Sequence, residues 1–238
     1  MKLLTMEIKQ SNRIQTSLIN AAEKKALVYL AGKQPKWVTS DHLTFLGFVG
    51  ALIIGAGYVL TNWNINWLWL SSFGFFVNWY GDSLDGTLAR VRQQQRPIYG
   101  YYLDHTVDGI NECIMFVCIG FSALMSHPGI AIAALILYLL LSMNVNVNAH
   151  LKGEFKLTYL KLGPTEFRII MVIINTLLVL IKPLSEFSLE TTIFAHPLTL
   201  SLFDIAGAVI VLILLFIYLT TIYHDAKYYA KIDPRKDK

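Results

Sequence analysis

The segment GDSLDGTLARVRQQQRPIYGYYLDHTVDG, Gly81 to Gly109, carries Asp82, Asp85, Asp104 and Asp108 in a chain that is 55% hydrophobic and only 15% charged. Apolar blocks flank it on both sides, and such blocks recur along the chain near the roughly 20 residues that a helix needs to cross a bilayer. Spans are expected at His42 to Leu60, Trp63 to Tyr80, Asp104 to Met125, Gly129 to Asn148, Glu166 to Ile181 and Ser201 to Tyr223. Hydrocarbon cannot satisfy backbone polar groups, and the period-2 pattern of a membrane barrel is absent, so the spans are read as helices. The expected fold class is an all-α integral membrane protein, a six-transmembrane-helix bundle.

Three segments follow. Residues 1–41 form a cytoplasmic N-terminal segment, 42–225 the membrane domain and 226–238 a charged cytoplasmic tail. In the first, Ile14, Leu18, Ala22, Ala26 and Tyr29 fall near one helical face. That pattern fits an amphipathic helix lying in the interface or packed on the cytoplasmic end of the bundle. Eighteen of the twenty Lys and Arg residues sit before the first span, between the second and third, between the fourth and fifth, or after the sixth. The positive-inside rule then places both termini and the Asp-rich segment in the cytoplasm of a multi-pass protein. The net charge of +4 is thus a topology signal with some attraction to anionic membrane lipids. No basic, aromatic groove points to nucleic acid.

On a helix, Asp82, Asp85, Gly86 and Ala89 share one face, as do Gly100, Asp104 and Asp108 on the next. Two such helices facing each other are expected to bring four carboxylates together. Crowded carboxylates at a membrane boundary repel one another, and divalent metal is the natural compensation. All-oxygen ligands select hard cations such as Mg²⁺ or Mn²⁺ over zinc. Gly86 and Ala89 leave room for a bulky ligand, and Arg90 offers a fork to a phosphate. His105, next in sequence to Asp104, is expected to point away from it.

These eight residues, Asp82, Asp85, Gly86, Ala89, Arg90, Gly100, Asp104 and Asp108, resemble the signature of the CDP-alcohol phosphotransferase family, D-x2-D-G-x2-A-R followed by G-x3-D-x3-D. One departure is visible: nine residues separate Arg90 from Gly100 where eight is the family's usual gap. The resemblance implies a phospholipid-synthesising enzyme that transfers a phospho-alcohol or phosphatidyl group from a CDP-alcohol donor to an acceptor hydroxyl and releases CMP. It implies two Mg²⁺ or Mn²⁺ ions held by Asp82, Asp85, Asp104 and Asp108, with Asp108 also the general base. Gly86, Ala89, Arg90 and Gly100 then belong to the nucleotide side, and a homodimer is implied as well. The carboxylates suit the role, because metals bridging a diphosphate neutralise charge developing on the leaving group.

Other polar residues stay open. Asp41 is expected to cap the first span. Glu166 and Arg168 open the fifth span and either form ion pairs or bind the acceptor. Asn148 shares a face with Asn144, for interhelical hydrogen bonds or for the acceptor. The donor is either CDP-diacylglycerol or a CDP-aminoalcohol. The form DHTVD is similar to the aminoalcohol branch, whereas the chain length resembles compact bacterial members, which favours a bacterial cell membrane over the endoplasmic reticulum. The rival class is a carboxylate-lined membrane ion transporter, since intramembrane acids also mark ion paths.

Overall fold

The computed structural model describes residues 20–152, 163–193 and 196–235. Helices α1 (Asn20–Lys33), α2 (Ser40–Leu60), α3 (Leu68–Val91), α4 (Pro97–Gly120), α5 (Pro128–Lys152) and α6 (Pro164–Leu180) are followed by the short α7 (Lys182–Ser185). A hairpin of β1 (Ser188–Ile193) and β2 (His196–Ser201) then leads into α8 (Leu202–Ile232). Among the described residues the regular elements are therefore helical apart from this hairpin, which the all-α expectation missed. Its strands pair antiparallel from Ser188 opposite Ser201 to Ile193 opposite His196. The β-branched run Thr191, Thr192 and Ile193 suits a pleated surface. Among the described residues, α2, α5 and α8 are long and apolar enough to cross a membrane by length and composition.

Helix α2 is the centre of the bundle, with α3 and α4 packed on it, α6 beyond α3, and α5 and then α8 beyond α4. Small residues permit the tight α2–α3 approach. A Cβ at Gly74 would stand 2.6 Å from the Ile54 nitrogen, and one at Gly81 would fall on the Gly47 backbone. This is the small-residue packing of membrane helices, where backbones touch directly. Polar bonds cross the same layer: the Asn175 amide donates to Ser72 Oγ at 3.3 Å, and the Tyr58 hydroxyl donates to Asn175 Oδ1 at 3.2 Å.

Two helix starts depart from expectation. Thr39, not Asp41, caps α2: its Oγ1 accepts the His42 N–H at 3.3 Å, and His42 Nδ1 accepts the Thr39 N–H at 3.2 Å. Asp41 instead meets the Arg96 guanidinium through both carboxylate oxygens at 2.6 Å. That pairing raises the Arg96 pKa. The second departure concerns α3. Asn64 caps a 3-10 turn at Ile65–Trp67, and α3 then runs unbroken past Tyr80, where the span was expected to end. Asp82 and Asp85 thus continue the register of an apolar helix.

Helix α1 packs on α3. Leu27 and Ala31 are buried with Val38, Leu43, Leu84 and Leu88, whereas Ala22, Ala26 and Tyr29, the face expected either to lie in the interface or to pack on the bundle, are exposed. Leu27 and Ala31 are one turn apart and present the contact surface instead. Ile14 and Leu18 lie outside the described residues. Arg92 closes the α1–α2 link by donating to the carbonyls of Gln34 (3.0 Å), Pro35 (2.8 Å) and Val38 (2.5 Å). At the far end, buried Asp204 accepts from the N–H groups of Ser126, His127 and Ser201. It thereby ties the α4–α5 link to the hairpin and the start of α8.

Candidate active site

The acids lie at the end of α3, where it rests on the start of α2, and in the first turns of α4. Asp82, Asp104 and Asp108 each bring a carboxylate oxygen within 4.8 Å of the others. Helices α3 and α4 make little direct contact, so the carboxylates reach toward each other across a cleft. Asp104 and Asp108 lie one turn apart, so both face it.

Asp85 departs from the expected foursome. Three residues fall short of a 3.6-residue turn, which rotates Asp85 toward α2. There its Oδ2 accepts the Thr44 hydroxyl at 2.6 Å, and its Oδ1 accepts the Gly86 N–H. It remains within electrostatic reach of Asp82 and Asp104. The structure brings three carboxylates into one cluster and stations the fourth beside them.

Arg168 enters from α6. Its Nη2 lies 2.5 Å from Asp82 Oδ2, and its Nε donates to Asn78 Oδ1 at 2.9 Å. Asn78 in turn donates to the Gly47 carbonyl at 2.9 Å. This buried relay through α2, α3 and α6 was not foreseen, since Asn78 gave no sequence signal beyond being an amide in an apolar helix. Glu166 caps the first turn of α6, its Oε2 accepting the Gly163 N–H at 3.0 Å. Asn148 turns elsewhere, donating to Asp225 at 2.8 Å and accepting the Tyr229 hydroxyl at 2.8 Å. Together with Asn144 it joins α5 to α8, which is the interhelical reading.

Gly86 and Gly100 stand in open space. A Cβ at Gly86 would meet only the Arg90 guanidinium, at 3.4 Å, and one at Gly100 would meet nothing within 4 Å. Arg90 folds back along its own helix, donating to Thr87 Oγ1 at 2.9 Å. His105 contradicts expectation: its Nδ1 lies 3.5 Å from Asp104 Oδ2 and 3.1 Å from the Tyr101 carbonyl. Rotation about the side-chain bonds carries the ring back along the helix, which spacing alone does not reveal.

Further along the same stripe of α4 come Asn111 and Glu112. Asn111 is buried and its Oδ1 has no hydrogen-bond partner among the described residues. Glu112 accepts the Tyr138 hydroxyl of α5. A cavity of about 670 Å³ lies between α4 and α5, with Asp104, Asp108 and Glu112 on one wall and Tyr138, Asn146 and His150 on the other.

A sequence model of the CDP-alcohol phosphatidyltransferase family matches residues 37–219. The chain belongs to this family. The matched span runs from before α2 into α8 and contains all eight signature residues. No curated protein sequence matches the chain. CDP-alcohol phosphatidyltransferases are membrane transferases of phospholipid synthesis, moving a group from a CDP-alcohol to an alcohol acceptor. The one departure of this member now has a place. The extra residue between Arg90 and Gly100 falls around the α3–α4 link, where Gln93 turns the chain with a φ of 56°. The three-acid cluster opens toward the cavity lined by α5.

Proposed function

We propose that this CDP-alcohol phosphatidyltransferase is a six-span membrane enzyme whose active site is the cleft between α3 and α4. The observation that carries the reading is the approach of Asp82, Asp104 and Asp108 within 4.8 Å at signature positions. Their donor atoms are all carboxylate oxygens, which suits Mg²⁺ or Mn²⁺. Asp82, Asp104 and Asp108, with Asp85 beside them, would hold two such ions. When bound, these ions supply charge neutralisation for the donor's diphosphate.

The remaining steps belong to the chain. Gly86, Ala89 and Gly100 leave the donor a path to the backbone, and Arg90 unfolds from Thr87 to meet a phosphate. The acceptor oxygen forms a bond to the phosphorus that carries the transferred group. The bond from that phosphorus to the bridging oxygen breaks, and CMP leaves with the electron pair. Asp108 takes the acceptor's proton. The distribution of the basic residues supports a cleft and termini that face the cytoplasm, where CMP would be released, and the working unit is read as a homodimer. Family membership favours transfer chemistry over the ion-transporter alternative.

The test is CMP release by the purified protein across a panel of CDP-alcohols and acceptors. Release that requires both an acceptor and Mg²⁺ or Mn²⁺ is the expected result. An absence of CMP with every pair, while the protein conducts cations in vesicles, would sink the reading.

A further inference from the structure

We infer that the outward face of α1 is a docking surface for the headgroups of anionic phospholipids. The surface lies away from the acids, and its role holds whatever reaction the cleft performs.

Helical geometry sorts α1 into two sides. At about 100° per residue, Glu23, Leu27, Ala31 and Gln34 fall together, and all four meet the bundle. Leu27 and Ala31 join the packed cluster with Leu84 and Leu88. Glu23 accepts the Trp79 indole N–H of α3 at 2.8 Å and the Thr165 hydroxyl of α6 at 2.6 Å, and Gln34 donates to the Tyr80 hydroxyl. Lys25 stands at the opposite pole, flanked by Lys24 and Val28 on one side and by Tyr29 and Lys33 on the other. All five are exposed. Glu23 is the one acid of α1, so the outward face holds three lysines and no carboxylate. Exposed Lys36 and Trp37 extend it just past the helix.

A helix face surrounded by water ordinarily mixes both signs of charge with neutral polar groups. Here the lysines alternate with Val28 and Tyr29, and the Lys33 ammonium lies 5.7 Å from the centre of the Tyr29 ring. Such a face suits a headgroup layer, where apolar groups reach the acyl boundary while long basic side chains meet phosphates.

The neighbours of α1 put it at that depth. Ala22 and Ala26 share a groove with Phe76 of α3 and with Ile169 and Ile173 of α6, and these three large side chains are exposed as lipid-facing residues are. At its other end α1 meets Arg92, which donates to the carbonyls of Gln34, Pro35 and Val38. The helix therefore bridges from a hydrocarbon-facing surface to the basic end of the bundle. Charge complementarity then decides the occupant. A zwitterionic headgroup brings no net charge to the lysines, whereas an anionic one does, and each lysine at such a surface strengthens attachment roughly fivefold.

The experiment uses the full-length protein with Cys113 and Cys118 replaced by Ala and an environment-sensitive fluorophore on Tyr29→Cys. It is reconstituted in phosphatidylcholine vesicles with and without phosphatidylglycerol. Phosphatidylglycerol should shift the emission to shorter wavelength and shield the label from acrylamide, and high salt should reverse both by screening. Lys24→Gln, Lys25→Gln and Lys33→Gln together should remove roughly a hundredfold of the attachment and with it the shift. Lys25→Gln alone, at the pole of the face, should weaken the response roughly fivefold and serves where the triple variant does not fold. An equal shift in phosphatidylcholine alone would mean that apolar contact seats the helix without charge, and no shift with phosphatidylglycerol would mean that lipid does not cover this face; either result overturns the inference. So would a matching response from a label on Glu186→Cys, which would assign the shift to the whole protein, or a disulfide between two copies through Tyr29→Cys, which would put a second copy on this face.

Discussion

Arg168 on α6 holds Asp82 on α3 at 2.5 Å, and its Nε is fixed by Asn78 one turn earlier. The guanidinium thus acts as a counter-cation for a carboxylate that also faces Asp104 and Asp108. Removing it leaves three crowded acids and an unpaired Asn78 carbonyl oxygen. Charge-assisted hydrogen bonds of this kind contribute about 2 kcal/mol. Arg168→Ala should therefore lower the melting temperature in chelator, and Mg²⁺ should restore more of it than it adds to the wild type. Equal Mg²⁺ increments in the two proteins would show that Arg168 does not share the acids' charge.

Asp108 and Asp82 should fail in different ways. Asp108→Asn keeps the side-chain shape but cannot take a proton, so donor binding should survive while CMP release drops roughly a hundredfold or more, the usual contribution of a general base. Asp82→Ala should weaken Mg²⁺ and donor binding along with turnover. Calorimetry on each variant, set beside its rate, separates the two roles. A Asp108→Asn variant with wild-type rate would remove Asp108 as the base.

The glycines divide into two groups with opposite expected behaviour. At Gly81 a side chain would collide with the Gly47 backbone across the α2–α3 contact, whereas at Gly86 it would meet only the movable Arg90 guanidinium. Gly81→Ala should destabilise the protein in thermal melts. Gly86→Leu should melt normally, since Leu is a good helix former, yet lose CDP-alcohol binding through steric block of the cleft. Normal donor affinity in Gly86→Leu would argue that the nucleotide lies elsewhere.

The spacing of Asp104 and Asp108, and the apolar blocks that became α2, α5 and α8, were legible because helical period and bilayer length are properties of local sequence. The partners were not. Nothing near Asp85 announces that Thr44, 41 residues away, will take its carboxylate. Nor does the stretch around Glu166 tell which of Glu166 and Arg168 reaches the acids, a matter settled by which side of α6 rests on α3. The same holds for the facing glycines of α2 and α3, visible singly in sequence but paired only by tertiary contact. The hairpin escaped because its short strands, Ser188–Ile193 and His196–Ser201, lie largely between the expected fifth and sixth spans. Tertiary partners, unlike periods, are set by packing across the bundle.

Sidedness joins topology to chemistry. The α3–α4 link carries Arg92 and Arg96 and adjoins the acids, while the hairpin and α7 lie at the other end of the helices. A bundle with basic links at one end should place that end in the cytoplasm. Gln94 and Glu186 are both exposed and mark the two ends. With Cys113 and Cys118 replaced by Ala, Gln94→Cys should react with an impermeant thiol reagent only in inverted vesicles. Glu186→Cys should react only in right-side-out vesicles or intact cells. Parallel assays of CMP release should show that a membrane-impermeant CDP-alcohol is consumed only by inverted vesicles. The reverse labelling would put the carboxylates on the side away from cytoplasmic nucleotide, and transfer from a cytoplasmic CDP donor would then be untenable for this cleft.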